Sequence, residues 1–183
     1  ISVVGQIIVD IDPTAQAVEY CNNAGNVDLT PFLLGTTSST TGGWQITPNV
    51  PGGVVSNNQL DPTALSAGVY SLKYALGNVG SNCRDSDSVA ITILPILDPT
   101  ITPPSPDTVC ISLGSLAFVN TGDLGGVWSI TNGGTIDAGT GVMTLNSGGT
   151  YSVTYSLGTT CPVDSTVQIV VEEPLDPTIS DPG

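Results

Sequence analysis

Sixteen carboxylates, four cysteines and not one histidine set the chemistry open to this 183-residue chain. Carboxylates work in pairs as acid and base, chelate hard cations, or start turns. Here they are scattered through turn-like stretches and no pair stands out, so no enzyme is expected. Without histidine there is no Ser-His or Cys-His nucleophile pair and no histidine-containing zinc site. The cysteines (Cys21, Cys83, Cys110 and Cys161) form no C-x-x-C, which favours disulfides over metal ligation and an oxidising compartment outside the cytoplasm. Lys73 and Arg84 are the only basic residues against a formal net charge of −14. Such a chain cannot neutralise runs of phosphate, so neither nucleic acid nor an anionic membrane surface is an expected partner. A hydrophobic content of 39% is more than disordered chains carry, and the expectation is a folded, acidic, turn-rich protein with 22 Gly and 14 Pro.

The elements that must position these groups come in duplicate. Asp-Pro-Thr follows an aliphatic residue at Ile11-Asp12, Leu97-Asp98 and Leu175-Asp176. Between those points the same landmarks return in order: a cysteine (Cys21, Cys110), a lone phenylalanine (Phe32, Phe118), then a Gly-Gly pair before Trp44 and Trp128. The blocks Gly68–Gly77 (GVYSLKYALG) and Gly149–Gly158 (GTYSVTYSLG) follow, then Cys83 and Cys161, each 15 residues before the next Asp-Pro-Thr. Self-similarity of this kind marks a repeat architecture. Residues 12–97 and 98–175 are read as two repeats. Because Gln6–Asp10 resembles Gln168–Glu172, residues 1–11 read as the last strand of a preceding repeat, and 176–183 as the start of a following one. The first residues, ISVVGQIIVDI, carry no Met and no basic stretch, so they are not read as a signal peptide, and no apolar run reaches membrane-spanning length. The chain reads as a segment of a longer protein.

Periodicity is two throughout. Tyr70, Leu72, Tyr74 and Leu76 alternate with small or polar residues, as do Tyr151, Val153, Tyr155 and Leu157, the pattern of a half-buried strand. Val89–Ile93 and Val167–Val171 read as the next, β-branched strands. About seven short strands in roughly 80 residues predict an all-β chain of two tandem immunoglobulin-like sandwiches in an extended rod. So small a core commonly needs a covalent staple. Repetition selects Cys21–Cys83 and Cys110–Cys161, one bridge within each repeat and each stabilising by about 4 kcal/mol, with Cys83–Cys110 across the linker as the alternative. Pro95 and Pro99 stiffen the connection between repeats.

Gly-Gly-x-Trp, Leu60-Asp61-Pro62-Thr63, and Ala67–Tyr74 before a cysteine and a terminal β-run resemble the Ig-like (PKD-like) repeats of giant type IX-secreted cell-surface adhesins of Bacteroidetes, of the SprB-like gliding-motility type. The resemblance covers essentially the whole chain, although Val142–Ser147 replaces the Leu-Asp-Pro-Thr segment in the second repeat. It implies an extracellular, surface-attached repeat that spaces or presents an adhesive tip. Its implied partners are neighbouring repeats, the type IX secretion and gliding machinery, and surface glycans or substratum.

Four further readings concern particular residues. No cofactor is expected, yet Asp12, Asp98 and Asp176, with Glu172 and Glu173, are placed to hold Ca²⁺ at repeat junctions if they gather there; their turn-starting role is the plainer account. Asp87-Ser88-Val89, Asp107-Thr108-Val109 and Asp164-Ser165-Thr166 match a short Bacteroidetes O-glycosylation pattern, making Ser88, Thr108 and Ser165 candidates, two of them in corresponding places. Trp44 and Trp128 are expected in the cores, the other use being a sugar-stacking platform. That use belongs to the alternative function, a carbohydrate-binding accessory module of a secreted enzyme.

Overall fold

The computed structural model describes residues 8–34, 42–50, 54–77 and 84–175. The chain divides into two compact units, Ile1–Ile96 and Leu97–Gly183. The described residues of both are all-β apart from short 3-10 turns, and no helix among them is long and apolar enough to cross a membrane.

In the first unit the principal sheet is built on the hairpin of β6 (Gly68–Leu76) and β7 (Asp85–Leu94). Strand β3 (Gly43–Thr47) flanks β6, and the short β1 (Glu19–Cys21) runs parallel along β7, giving the order β1-β7-β6-β3. A smaller sheet, β2-β5-β4, joins Val27–Asp28, Gln59–Leu60 and Val55–Ser56. The alternation read from the sequence is what folds. Tyr70, Leu72, Tyr74 and Leu76 of β6 and Val89, Ile91 and Ile93 of β7 are buried together with Phe32, Leu29 and Leu60. Burying each large side chain stabilises by about 1.5–3 kcal/mol, so the alternation carries the unit.

The second unit repeats the arrangement strand for strand. Its principal hairpin is β15 (Gly149–Leu157) with β16 (Val163–Glu172). The flanking strands are β12 (Val127–Ile130) and the parallel β9 (Thr108–Cys110), in the order β12-β15-β16-β9. The smaller sheet is β10-β14-β13, from Ser115–Ala117, Val142–Thr144 and Thr135–Ile136. A two-stranded ribbon of β8 (Ile101–Thr102) and β11 (Val119–Asn120) completes it. Two sheets over one apolar core, with a parallel edge strand, make each unit an immunoglobulin-like sandwich.

Two sequence expectations are corrected here. Val9 and Ile11, assigned above to a preceding repeat, are buried in the first unit's own core. Their backbone N–H groups donate to the carboxylates of Asp85 (2.7 Å) and Asp87 (3.0 Å) on β7, so these residues are stitched to the repeat they open. Leu97, in the same place before Asp98, packs against the second core. The second correction concerns the bridge Cys110–Cys161. Cys161 is disulfide-bonded but Cys110 is an exposed free thiol, so the two are not joined. Cys110 stands opposite Glu172, whereas Cys161 lies in the turn just before Val163. The length of β16 separates them, roughly 30 Å at ~3.3 Å per residue, and a disulfide tolerates no more than about 7 Å between α-carbons. In the first unit Cys21 is disulfide-bonded, while Cys83 lies outside the described residues.

Candidate binding surface

Each core is organised by one aromatic triplet. Trp44 packs edge-on against Tyr74 (centroids 5.2 Å apart) and Phe32 (6.4 Å), and Trp128 packs against Tyr155 (4.7 Å) and Phe118 (6.2 Å). In both units the Trp faces the Tyr directly across the two strands. The Gly-Gly pair before each Trp has a steric cause. A Cβ on Gly126 would lie 2.5 Å from Cζ of Tyr155, and one on Gly42 would collide with the Tyr74 hydroxyl. The Gly126 N–H also donates to the Tyr155 hydroxyl at 2.8 Å. Trp128 is only 5% exposed, so its faces serve packing and offer no sugar platform.

A second use of tyrosine went unread in the sequence. The Tyr70 hydroxyl donates to the Ser66 carbonyl (3.0 Å) and that of Tyr151 to the Ser147 carbonyl (2.9 Å), each four residues upstream. This is the tyrosine corner of Ig-like sandwiches, which pins the turn entering a central strand. The spacing Ser-x-x-x-Tyr before an alternating run was its available signal.

The exposed acids are mostly turn devices. Asp12, Asp28, Asp61 and Asp98 each accept from both the N–H and the hydroxyl of the Thr two residues on, and Asp137 does so with Thr140. The Thr hydroxyl first, and its N–H second, hold the carboxyls of Asp12, Asp28, Asp98 and Asp137 below the ordinary 3.8. Of the junction acids, Asp98 is tied to Thr100, its own N–H donating to Asp123 (2.8 Å). Glu173 accepts from Gly148 N–H (3.3 Å), Glu172 is exposed, and Asp176 lies outside the described residues. No group of three or more His, Cys, Asp or Glu able to hold a metal ion is assembled among the described residues.

The three hydroxyl candidates are not brought together. Ser88 is exposed on β7 opposite Lys73, Thr108 is half-buried on β9 opposite Val170, and Ser165 is half-buried on β16 opposite Tyr155. Ser88 and Ser165 do not correspond. Tyr74 pairs with Asp87 and Tyr155 with Ser165, so the register equivalent of Ser88 is Thr166. A shift of one residue turns a side chain to the other face of the sheet.

The most accessible apolar surface belongs to the second unit. Leu124, in the loop before β12, is 85% exposed, and Val119 and Val127 are more than half exposed. Leu124 and Val119 border a shallow groove of about 330 Å³ that also takes in Asn120, Gly139 and Thr140. Asn120 donates to the Asp123 carbonyl (2.6 Å), while its buried Oδ1 has no partner. A lone large aliphatic residue in the glycine-rich stretch Thr121–Gly126 was the sequence signal for this loop.

No family model matches this chain, and no curated protein matches it. Among solved structures it is similar to the insect immune protein hemolin, whose description concerns homophilic adhesion (15% identity, 91% of this chain and 47% of that one, TM-score 0.46). It is also similar to mouse cadherin-23 EC22-24 (14% identity, 92% and 64%, TM-score 0.32). A third is the Bacteroides ovatus mixed-linkage glucan utilization locus protein SGBP-B, in complex with a heptasaccharide (18% identity, 84% and 42%, TM-score 0.31). The chain spans 42–64% of the length of these structures.

Proposed function

We propose that this chain is an extracellular repeat segment of a large bacterial surface adhesin, a semi-rigid spacer or adhesive stalk that takes part in attachment or gliding and performs no catalysis. The observation that supports it most is the strand-for-strand duplication: both units share one strand order, one Phe-Trp-Tyr triplet and one tyrosine corner. Duplication at this level of detail is what an array of spacing modules requires, since each copy folds on its own core and adds length. The proline-bearing connection Leu94–Thr100 and the disulfide-bonded cysteines fit a stiff protein working outside the cytoplasm. The strongly acidic surface keeps such an array soluble. The source as a Bacteroidetes-type gliding bacterium, export by type IX secretion, and contact with the gliding machinery and surface glycans complete the reading, all drawn from the sequence resemblance.

The test is made on the source cells. Antibodies raised against the chain should label intact, unpermeabilised cells, and in-frame deletion of the segment should reduce attachment to a solid surface or gliding speed. Labelling only after permeabilisation, or attachment and gliding both unchanged, overturns the reading.

A further inference from the structure

Two basic side chains are all this chain sets against its 16 carboxylates, and the first unit places both in one groove. Lys73 is exposed on β6, and Arg84 is exposed one residue before β7. With Gln45 of β3 and Ser86 of β7 they line a depression of about 410 Å³. It lies on the outward face of the principal sheet, because Lys73 and Gln45 alternate with the buried Leu72, Tyr74 and Ile46. Among the described residues neither cation forms an ion pair. The groove's own carboxylate, Asp85, is held by the backbone N–H groups of Val9 (2.7 Å) and Ser86 (2.9 Å). We propose that Lys73 and Arg84 form a binding site for an acidic saccharide, a glycan whose uronic-acid carboxylates seat on the two cations.

The fold does not need these charges, as the second unit shows. Lys73 pairs with Gln45 on one side and Ser88 on the other; in the same register Thr154 pairs with Ser129 and Thr166. There the two threonine hydroxyls satisfy each other at 2.8 Å, so a neutral pair closes the sheet face. Arg84 precedes the residue opposite Leu76, and Pro162 holds that place before the residue opposite Leu157. No basic residue occurs anywhere in Leu97–Gly183. One sandwich of the same strand order thus folds with neither cation, while the other gathers both and leaves them unpaired.

Charge and spacing select the occupant. Ser88, opposite Lys73, is four residues along the chain from Arg84, so the two backbones stand roughly 13 Å apart along the sheet at ~3.3 Å per residue. That suits carboxylates carried at intervals by sugar rings better than nucleic acid, with a charge every ~1.7 Å. The Arg84 guanidinium offers a planar fork to one carboxylate and the Lys73 ammonium a point charge to another, while the Gln45 amide and the Ser86 hydroxyl serve sugar hydroxyls. A second copy of this chain fits less well. A stable protein interface buries on the order of 1,000 Å² around an apolar centre. In this groove Leu76 is buried and Ala75 is small, and the copy would bring a net charge of −14 against another of −14.

The test titrates the whole chain with trigalacturonic acid and follows the backbone amides by NMR. The amides of Gln45, Lys73 and Ser86 should shift, those of Thr154 and Thr166 should not, and the effect should weaken as salt rises. The methyl ester of the same saccharide, with its rings intact and its charges removed, should shift none of them. Lys73→Thr combined with Arg84→Gln should weaken binding about tenfold with the melting temperature unchanged, and Lys73→Arg should keep it. Unmoved amides at Gln45, Lys73 and Ser86, or equal shifts with the ester, overturn the proposal. Shifts at the same amides that grow with protein concentration and need no saccharide assign the groove to a second copy and overturn it too. The inference rests on the surface-adhesin reading, whose glycan partner it specifies, yet the two fail separately. Saccharide binding by a chain that antibodies find only inside permeabilised cells removes the adhesin reading and leaves the site, whereas labelled intact cells and no saccharide binding remove the site alone.

Discussion

The two units match closely in their principal sheet and less closely around the smaller one. Strands β6 and β7 match β15 and β16 in length and pairing, and the Trp strand and parallel cysteine strand flank them alike. Opposite, the first unit follows β5 with a 3-10 turn at Pro62–Ala64, capped by Asp61, which accepts from Thr63 N–H. In the second unit β14 (Val142–Thr144) pairs with β10 and β13 as β5 pairs with β2 and β4, but no 3-10 turn follows it. The constrained half is the one whose side chains alternate against a shared core. The half that diverges makes fewer contacts across strands and is free to vary, as the exposed Leu124 loop also shows.

The largest test of that shared core is at its centre. Leu72 and Val153 hold equivalent places opposite Val89 and Val167, and both are fully buried. Leu72→Ala should cost about 3 kcal/mol, and Val153→Ala about 1 kcal/mol less, because one methylene fewer is removed. Denaturant unfolding of each variant, followed by the fluorescence of the Trp in the same unit, measures both. Equal losses would mean that the cores are packed differently despite matching registers.

Next in size is the steric rule before each Trp. Gly126→Ala forces a methyl group against the Tyr155 ring and the Ser156 carbonyl, and should destabilise by about 1–3 kcal/mol. At Gly43, also beside a Trp, an added Cβ meets nothing within 4 Å, so Gly43→Ala should leave stability nearly unchanged. Thermal melts of the two variants separate a packing requirement from a mere turn preference.

Much of this was legible beforehand. The alternating tyrosines, the Phe-Trp landmarks and the duplication all rest on local patterns that the folded strands obey. The cysteines were not, although the repetition was real. A bridge within each repeat and a bridge between repeats are equally periodic, so periodicity does not choose between them. Strand length excludes the bridge expected inside the second repeat, because a ten-residue β16 keeps Cys110 and Cys161 apart. Val9 and Ile11 were misassigned because their stretch resembles the end of the second repeat, whereas what ties them to the first unit is acceptance of their N–H groups by the carboxylates of Asp85 and Asp87. Those contacts span 76 residues and leave no local trace.

The tyrosine corners offer a finer comparison. Tyr70→Phe removes one hydrogen bond to Ser66, whereas Tyr151→Phe removes contacts with both the carbonyl and the hydroxyl of Ser147. Each should destabilise its unit by about 1 kcal/mol, with Tyr151→Phe the larger. Urea midpoints of the two variants would rank them, and an equal or reversed order would show that the Ser147 hydroxyl contributes nothing.

The smallest effect concerns the Asp-Pro-Thr turn that opens each repeat. The Thr100 hydroxyl, followed by its N–H, stabilises the ionised carboxyl of Asp98 and lowers its pKa below 3.8; Thr14 does the same for Asp12. A carboxyl whose folded pKa is depressed contributes stability above its unfolded value, and that contribution is lost as pH falls through the folded value. The window therefore lies below about pH 4, and neutral conditions should reveal nothing. Thr100→Val deletes the larger of the two causes, so the Asp98 carboxyl should titrate closer to 3.8 while Asp12, in its untouched turn, keeps its lower midpoint. Carbon-detected NMR titration of both side chains reads the difference directly. An unmoved Asp98 would show that the backbone N–H alone holds the turn, and that threonine at this position serves something other than the carboxylate.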